Sequence, residues 1–266
     1  MNHFRITCWV GVAILCGGLP AAAQLEIGMT LSPTRAILQE SIIAQLRIRN
    51  TTSEPITLGG QSGAPFWLDV ERGPGRSQRQ LKADVLGGPL TIPPRETVTH
   101  RLNVTTSYDL RSTGSYTVRA RTQWRGRPIA SSPVFFDVVP GMEYTRTEGV
   151  LPDGEGIRTF RLMSINRDRG EDLLLRIDDD RAGICFAVLR LGRLLRTHPP
   201  QMRVDESANI TVLHQAGPGR YLYHVFTPDG ENLVRRIYTG EGPGVELVSS
   251  DHGRYIVSGA TSSLSD

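Results

Sequence analysis

The residues of this chain whose types could do chemistry are few and scattered. Asp178-Asp179-Asp180 is an acidic run. A calcium loop of the EF-hand kind needs oxygen ligands at alternate positions, glycine sixth and glutamate twelfth. Counted from Asp178, Asp180 and Gly183 fit, but Ala182 and Leu189 stand where side chains must serve the loop. The run therefore reads as a hairpin loop with solvated carboxylates. The chain holds 6 histidines. His198, His214, His224 and His252 lie far apart, and neither His-x-x-x-His nor Cys-x-x-Cys occurs, so no zinc ligand set is spelled out. His214 and His224 approach each other only if they lie on neighbouring strands. Cys185 sits in Ile184-Cys185-Phe186-Ala187-Val188-Leu189, apolar on both faces. That pattern predicts an interior strand and an inert, buried thiol. Gly-x-Ser-x-Gly, a phosphate loop and a dinucleotide fingerprint are all missing. These observations assign no catalytic residue, no metal ligand and no cofactor.

One cluster does suggest recognition. Arg119, Arg121, Trp124, Arg125 and Arg127 crowd a single short stretch. An indole flanked by guanidinium groups at a loop tip suits a sugar face or an anionic polymer. The competing reading packs the indole on its own arginine stems. These five are the candidate ligand-binding residues. Elsewhere the basic residues are almost all arginine, Lys82 being the sole lysine, and the formal net charge is +3. Both signs are interspersed without blocks, which argues against nucleic acid as a partner.

The elements that must carry these residues are strands. Ile42, Ala44, Leu46 and Ile48 alternate with polar neighbours, as do Val98, His100, Leu102 and Val104. Tyr116, Val118 and Ala120 form a third such set and Val134, Phe136 and Val138 a fourth. Period-two alternation between turn-rich pieces predicts half-buried strands of a sandwich. Further on, Leu173 to Ile177 and Ile184 to Leu189 read as one hairpin, and Tyr221 to Phe226 with Leu233 to Tyr238 as another, turning at Asp229-Gly230. The stretch Val204 to Asn209 before Ile210-Thr211-Val212-Leu213 is echoed 44 residues on by Val248 to Gly253 before Arg254-Tyr255-Ile256-Val257, about the length of a propeller blade. Too few units fit to close a propeller, so the region is expected to be an open blade-like stack or a small sandwich. Its sheet edges then need cover from the first domain or from another copy.

The organisation expected is a leader and two β domains. Arg5, the apolar run Ile6 to Leu19 and Ala21-Ala22-Ala23 before Gln24 have the order of a secretory signal peptide over 1–23. A first domain follows over 24–141, ending at the chain breaker Pro140-Gly141, and a second over 142–266, with its last few residues disordered. Cys8 and Cys16 leave with the signal, so an exported chain with Cys185 alone has no internal disulfide. No transmembrane segment is expected after cleavage.

Tyr108-Asp109-Leu110-Arg111-Ser112-Thr113-Gly114-Ser115-Tyr116-Thr117-Val118 resembles the E–F corner and F strand of immunoglobulin-like domains. The resemblance implies that the Tyr116 hydroxyl ties the corner to nearby backbone. It also implies that Leu46 and Val118 stand where the family has its two cysteines, and that Trp67 is the buried tryptophan. The Trp124 hairpin then becomes the F–G connection. The whole chain resembles secreted bacterial proteins that join an immunoglobulin-like sandwich to blade-like β repeats, a resemblance that brings no activity with it.

The fold class expected is all-β: an immunoglobulin-like β-sandwich followed by an antiparallel β domain with blade-like hairpin repeats. The function expected is exported, secreted or periplasmic, and non-catalytic. It is binding or scaffolding toward a protein or glycan partner at the cell envelope, with self-association through sheet edges as a further possibility. The alternative is a polysaccharide-active hydrolase, or a hydrolase accessory, with carboxylates scattered in sequence.

Overall fold

The computed structural model describes residues 24–152, 154, 156–240, 244–250 and 253–263. The leader 1–23 and His252 lie outside the described residues, as do the last three residues of the chain. Its regular structure is almost wholly strand, with one four-residue helical turn.

The first unit holds β1 (Leu25–Ser32), β2 (Arg35–Ile37), β3 (Ile43–Asn50), β4 (Ile56–Leu58), β5 (Phe66–Arg72), β6 (Leu90–Ile92), β7 (Thr97–Asn103), the single turn α1 (Val104–Ser107), β8 (Gly114–Trp124), β9 (Arg127–Ala130) and β10 (Val134–Val139). One sheet runs β1-β3-β7 and the facing sheet runs β2-β10-β8-β5, with β9 also on β8. The chain thus starts in one sheet and crosses to the other, where β2 pairs in parallel with the last strand β10. This is the A-B-E and G-F-C arrangement of an immunoglobulin-like sandwich. Its alternating apolar positions meet in one cluster running from Leu25 to Val138, with Leu46 and Val118 both fully buried in it. An apolar contact region therefore stands where the family carries a disulfide. The corner forms as the resemblance implied. Tyr116 Oη donates to the Ser112 carbonyl at 2.5 Å, and the ring stacks on Phe136 with centroids 5.0 Å apart.

Trp67 departs from the expectation. β5 does pair with β8, but Trp67 lies on its outward side opposite Arg121, while Phe66, Leu68 and Val70 point inward. The side-chain period of two settles this: once Leu68 is inside, its neighbour Trp67 must be outside. The backbone of Leu68 is held instead by buried Tyr108, whose hydroxyl donates to the Leu68 carbonyl at 2.7 Å.

The second unit holds β11 (Met142–Val150), β12 (Ile157–Arg167), β13 (Gly170–Asp179), β14 (Ile184–Arg193), β15 (Gln201–Val204), β16 (Ile210–Gly217), β17 (Arg220–Phe226), β18 (Asn232–Thr239), β19 (Glu246–Ser249), β20 (Tyr255–Ser258) and β21 (Thr261–Ser263). Two four-stranded meanders form, β11-β12-β13-β14 and β15-β16-β17-β18, the second extended by β21. Their inner faces meet in a core of Phe160, Leu162, Leu173, Leu175, Met202, Ile210, Val212 and Phe226, among others. The β19–β20 hairpin lies over the outer face of the second sheet, on Leu213, Tyr221 and Tyr223. The result is a sandwich of two blade-like meanders with a hairpin cover.

The echo seen in the sequence is a turn and not a blade. Asp205–Asn209 closes with Asp205 N–H to Asn209 C=O at 3.0 Å, and Ser250–Arg254 closes the same way at 2.8 Å. Thr227–Glu231 repeats the bond at 2.9 Å. The recurring feature is one backbone bond from the first to the fifth residue of a chain reversal, one of several connections that hairpins use.

A correction concerns Cys185. Its strand β14 is at the edge of its sheet, and Ile184 and Phe186 are exposed. Both faces of β14 are apolar because two different things cover them. Ala187, Leu189 and Leu191 face the sandwich interior. Val188 faces the first unit, packing with Ile37, Met163, Ile165 and Leu174.

The two units join at Pro140-Gly141 between β10 and β11. Gly141 has φ +75°, and a Cβ there would stand 2.8 Å from Ile37 Cγ2, so the junction admits glycine alone. A second attachment comes from residues 38–40, which follow β2. Arg167 on β12 donates to Glu40 Oε1 at 2.5 Å and to Asp172 at 2.9 Å. Arg176 on β13 donates to the Leu38 carbonyl at 2.9 Å and to Gln39 Oε1 at 3.1 Å.

Candidate functional site

The hairpin β8–β9 turns at Arg125-Gly126, where both residues have positive φ, the geometry that fits the twist of a tight hairpin. The five residues singled out from the sequence do not gather there as one group. Inward positions of β8 are Tyr116, Val118, Ala120 and Thr122, and Trp124 continues that side. Its ring packs on the first core, and its Nε1 is buried without a hydrogen-bond partner. Arg125 covers the ring from 5.6 Å and pairs with Glu54 at 2.5 Å. Arg127 is exposed beside the turn. Arg119 and Arg121 point the opposite way, onto the outward face of the β5-β8-β10 sheet, with Arg121 paired to Asp69 at 2.8 Å. The tryptophan is thus largely structural, and strand alternation divides the arginines between a tip and a face.

That outward face carries more than the sequence pointed to. Trp67 is opposite Arg121, Asp69 opposite Arg119, and Phe135 opposite Thr117. Phe135 is 65 % exposed on a stretch of β10 that pairs with β8 alone, since β2 joins β10 only from Asp137 onward. The signal was present in Phe135-Phe136: two adjacent aromatics in a strand must face opposite ways.

The other candidates are accounted for structurally. The sequence suggested solvated carboxylates; the structure engages them with arginine, burying Asp178 and leaving Asp180 39 % exposed. Buried Asp178 binds both Arg161 and Arg176, the latter at 2.7 Å. Asp180 takes Arg161 at 2.8 Å and Arg146 at 2.7 Å, and hydrogen bonding from Arg161 holds its carboxyl below the usual range. Asp179 Oδ1 accepts the Arg181 and Ala182 amides, closing the turn. Antiparallel registry explains this, since β12 places Arg161 opposite Arg176 and beside the end of β13. Cys185 lies in the same cleft, of about 410 Å³, and burial pushes its thiol up to about 12, which leaves no thiolate to react. Among the described residues, no three His, Cys, Asp or Glu side chains converge as a metal site.

His214 and His224 do meet. They lie diagonally across β16 and β17, with rings stacked at 6.0 Å inside the second sandwich. They are 1 % and 3 % exposed, and none of their four ring nitrogens has a well-aligned partner, although the Arg193 and Leu191 carbonyls lie nearby. Burial and then His224 hold His214 down to about 3, while burial and then Arg235 hold His224 down to about 4. Both rings are neutral at ordinary pH.

Other clefts lie on the second unit and at the seam. One of about 330 Å³, under the β19–β20 hairpin, is lined by Tyr223, Tyr255, Arg236 and Arg254. Asp205 borders it, but its oxygens accept the Ser207 and Asn209 amides and are committed to the turn. A cleft of about 620 Å³ lies at the seam between the units and is lined by four arginines. Glu40 is a carboxyl that burial pushes above its usual range against the pull of Arg167, and it is locked inside the seam, not presented to a cleft. A general acid for glycosidic cleavage needs a raised carboxyl within reach of substrate. Among the described residues, no helix is long and apolar enough to cross a membrane.

No family model matches the chain, and no curated protein matches it. Among solved structures, Spo0M, a sporulation control protein from Bacillus subtilis, aligns over 61 % of this chain and 83 % of that one, with 10 % identity and a TM-score of 0.27.

Proposed function

We propose that this chain is an exported binding or scaffolding protein, secreted or periplasmic, that contacts a protein or glycan partner at the cell envelope. The contact surface is the outward face of β5, β8 and β10 together with the β8–β9 tip. The observation that carries this reading is the exposed Phe135 on a sheet face shared with Arg119, Arg121 and Trp67. A large aromatic left in water on a rigid sheet, beside arginines, has the composition of a recognition patch. Support also comes from the carboxylates of the acid-run cleft, which are bound to arginines and so are poorly placed to work as an acid and base pair.

The test compares the wild-type chain with Phe135→Ser and Arg119→Glu for binding to envelope fractions and to a panel of polysaccharides. Both side chains lie outside the core, so folding is expected to persist. Binding that falls by about tenfold or more in each variant is the expected result, the loss typical of a contact worth 1–2 kcal/mol. Wild-type binding left unchanged by both overturns this surface. Release of reducing ends from the same polysaccharides favours the hydrolase instead.

A further inference from the structure

The geometry points to the cleft at the seam between the two sandwiches as a binding site for an acidic sugar unit, one carrying a carboxylate or sulfate group. This does not depend on the sheet-face reading, because the two surfaces share no residue.

The argument starts with charge. Asp172 is 5 % exposed and Glu40 6 %, and two guanidinium groups satisfy them. Arg167 binds both carboxylates, and Arg190 binds Asp172 at 2.9 Å. Two acids and two bases close on each other, and that layer is spent. Above it lie Arg169, at the tip of the β12–β13 turn, and Arg193, at the end of β14. Arg193 is the cross-strand partner of Asp172, yet neither it nor Arg169 forms an ion pair with any described carboxylate. Both line the cleft with guanidinium donors to spare, beside the single exposed carboxylate of Asp168.

Arg193 also passes close to Gly170. Gly170 has φ +118°, and a Cβ there would lie 3.3 Å from Arg193 Nε and 3.4 Å from Nη2, so the missing side chain leaves room for the guanidinium beside the turn. A planar guanidinium fork suits a bidentate contact to an oxyanion. The opposite wall is Leu31, Ser32, Pro33 and Thr34 of the first unit, supplying an apolar ring and two hydroxyl side chains. At about 620 Å³ the cleft has the size of a small-molecule site and takes one or two sugar rings. Anion donors on one wall and a mixed apolar and hydroxyl wall opposite suit a sugar bearing one acidic group better than a bare anion.

Affinity electrophoresis of the full exported chain through gels containing polygalacturonate, dextran sulfate or neutral dextran tests this, with inorganic phosphate as a soluble competitor. Retardation is expected with polygalacturonate or dextran sulfate and not with dextran. Whichever polymer retards more identifies carboxylate or sulfate as the group read. Arg193→Gln and Arg169→Gln should each weaken retardation by about tenfold. Arg220→Gln, exposed at the start of β17 and outside both the cleft and the sheet-face surface, should change nothing. Arg169 is exposed at a turn, so its variant carries the test even if Arg193→Gln disturbs folding. Absence of retardation by either polyanion overturns the proposal. So does an equal loss from Arg220→Gln, which marks non-specific attraction, or complete displacement by millimolar phosphate, which marks a site for a free anion.

Discussion

The two sandwiches are held together by different means. The first buries one continuous apolar cluster, and its two buried tyrosine hydroxyls each end on a backbone carbonyl. The second buries two stacked histidines without aligned partners, and its outer face is tied by arginines to acids of its own and of its neighbour. A core of the first kind is indifferent to pH and salt. One of the second kind is stable only while its histidines stay neutral and its ion pairs stay complete. The first unit is thus the frame and the second a conditional addition to it.

The largest expected break in this contrast is acidification. The unfolded histidine titrates near 6.5, and the folded rings near 3 and 4. A depressed histidine leaves the unfolded chain binding more protons, so full stability holds above pH 6.5 and falls as pH drops toward the folded values. Between pH 7 and pH 4 the second unit should lose on the order of 5 kcal/mol from this pair. Urea unfolding followed at both pH values measures it, and replacing both rings (His214→Leu with His224→Phe) should flatten the pH dependence while the first unit stays put. Next comes Arg167→Met, which strands Glu40 and Asp172 in the seam. Removing one member of a buried ionic set costs roughly 3–5 kcal/mol, and a single unfolding transition should split in two. Tyr116→Phe removes the corner bond from the first unit and should cost about 1 kcal/mol, independent of pH. The smallest effect belongs to Arg125→Ala. Its pairing with Glu54 is exposed at the hairpin tip, so a shift of less than about 1 kcal/mol is expected in thermal melts.

What the residues revealed, and what they hid, follows the same division. Strands with one wet and one dry face announced themselves, as at Ile42 to Ile48 and Tyr116 to Ala120. The tyrosine corner was legible because its partner, Ser112, lies four residues away in sequence. Long-range facts were not. The edge position of β14 was hidden because Val188 is covered by the other unit, which mimics the cover that sheet neighbours would give. Trp124 looked like a surface feature because the arginines around it hid that it continues the Tyr116–Thr122 side of β8, which packs on the first core. The seam cleft draws on β1, β12, β13 and β14 and on residues after β1, and no local pattern connects them.

The junction at Gly141 and the docking of residues 38–40 also have a mechanical meaning. One anchor is covalent. The other joins ionic bonds to an apolar seam, where Ile37 packs with Met163, Ile165 and Leu174. Brine would weaken only the ionic part of that second anchor, so the bracket they form should soften without coming apart.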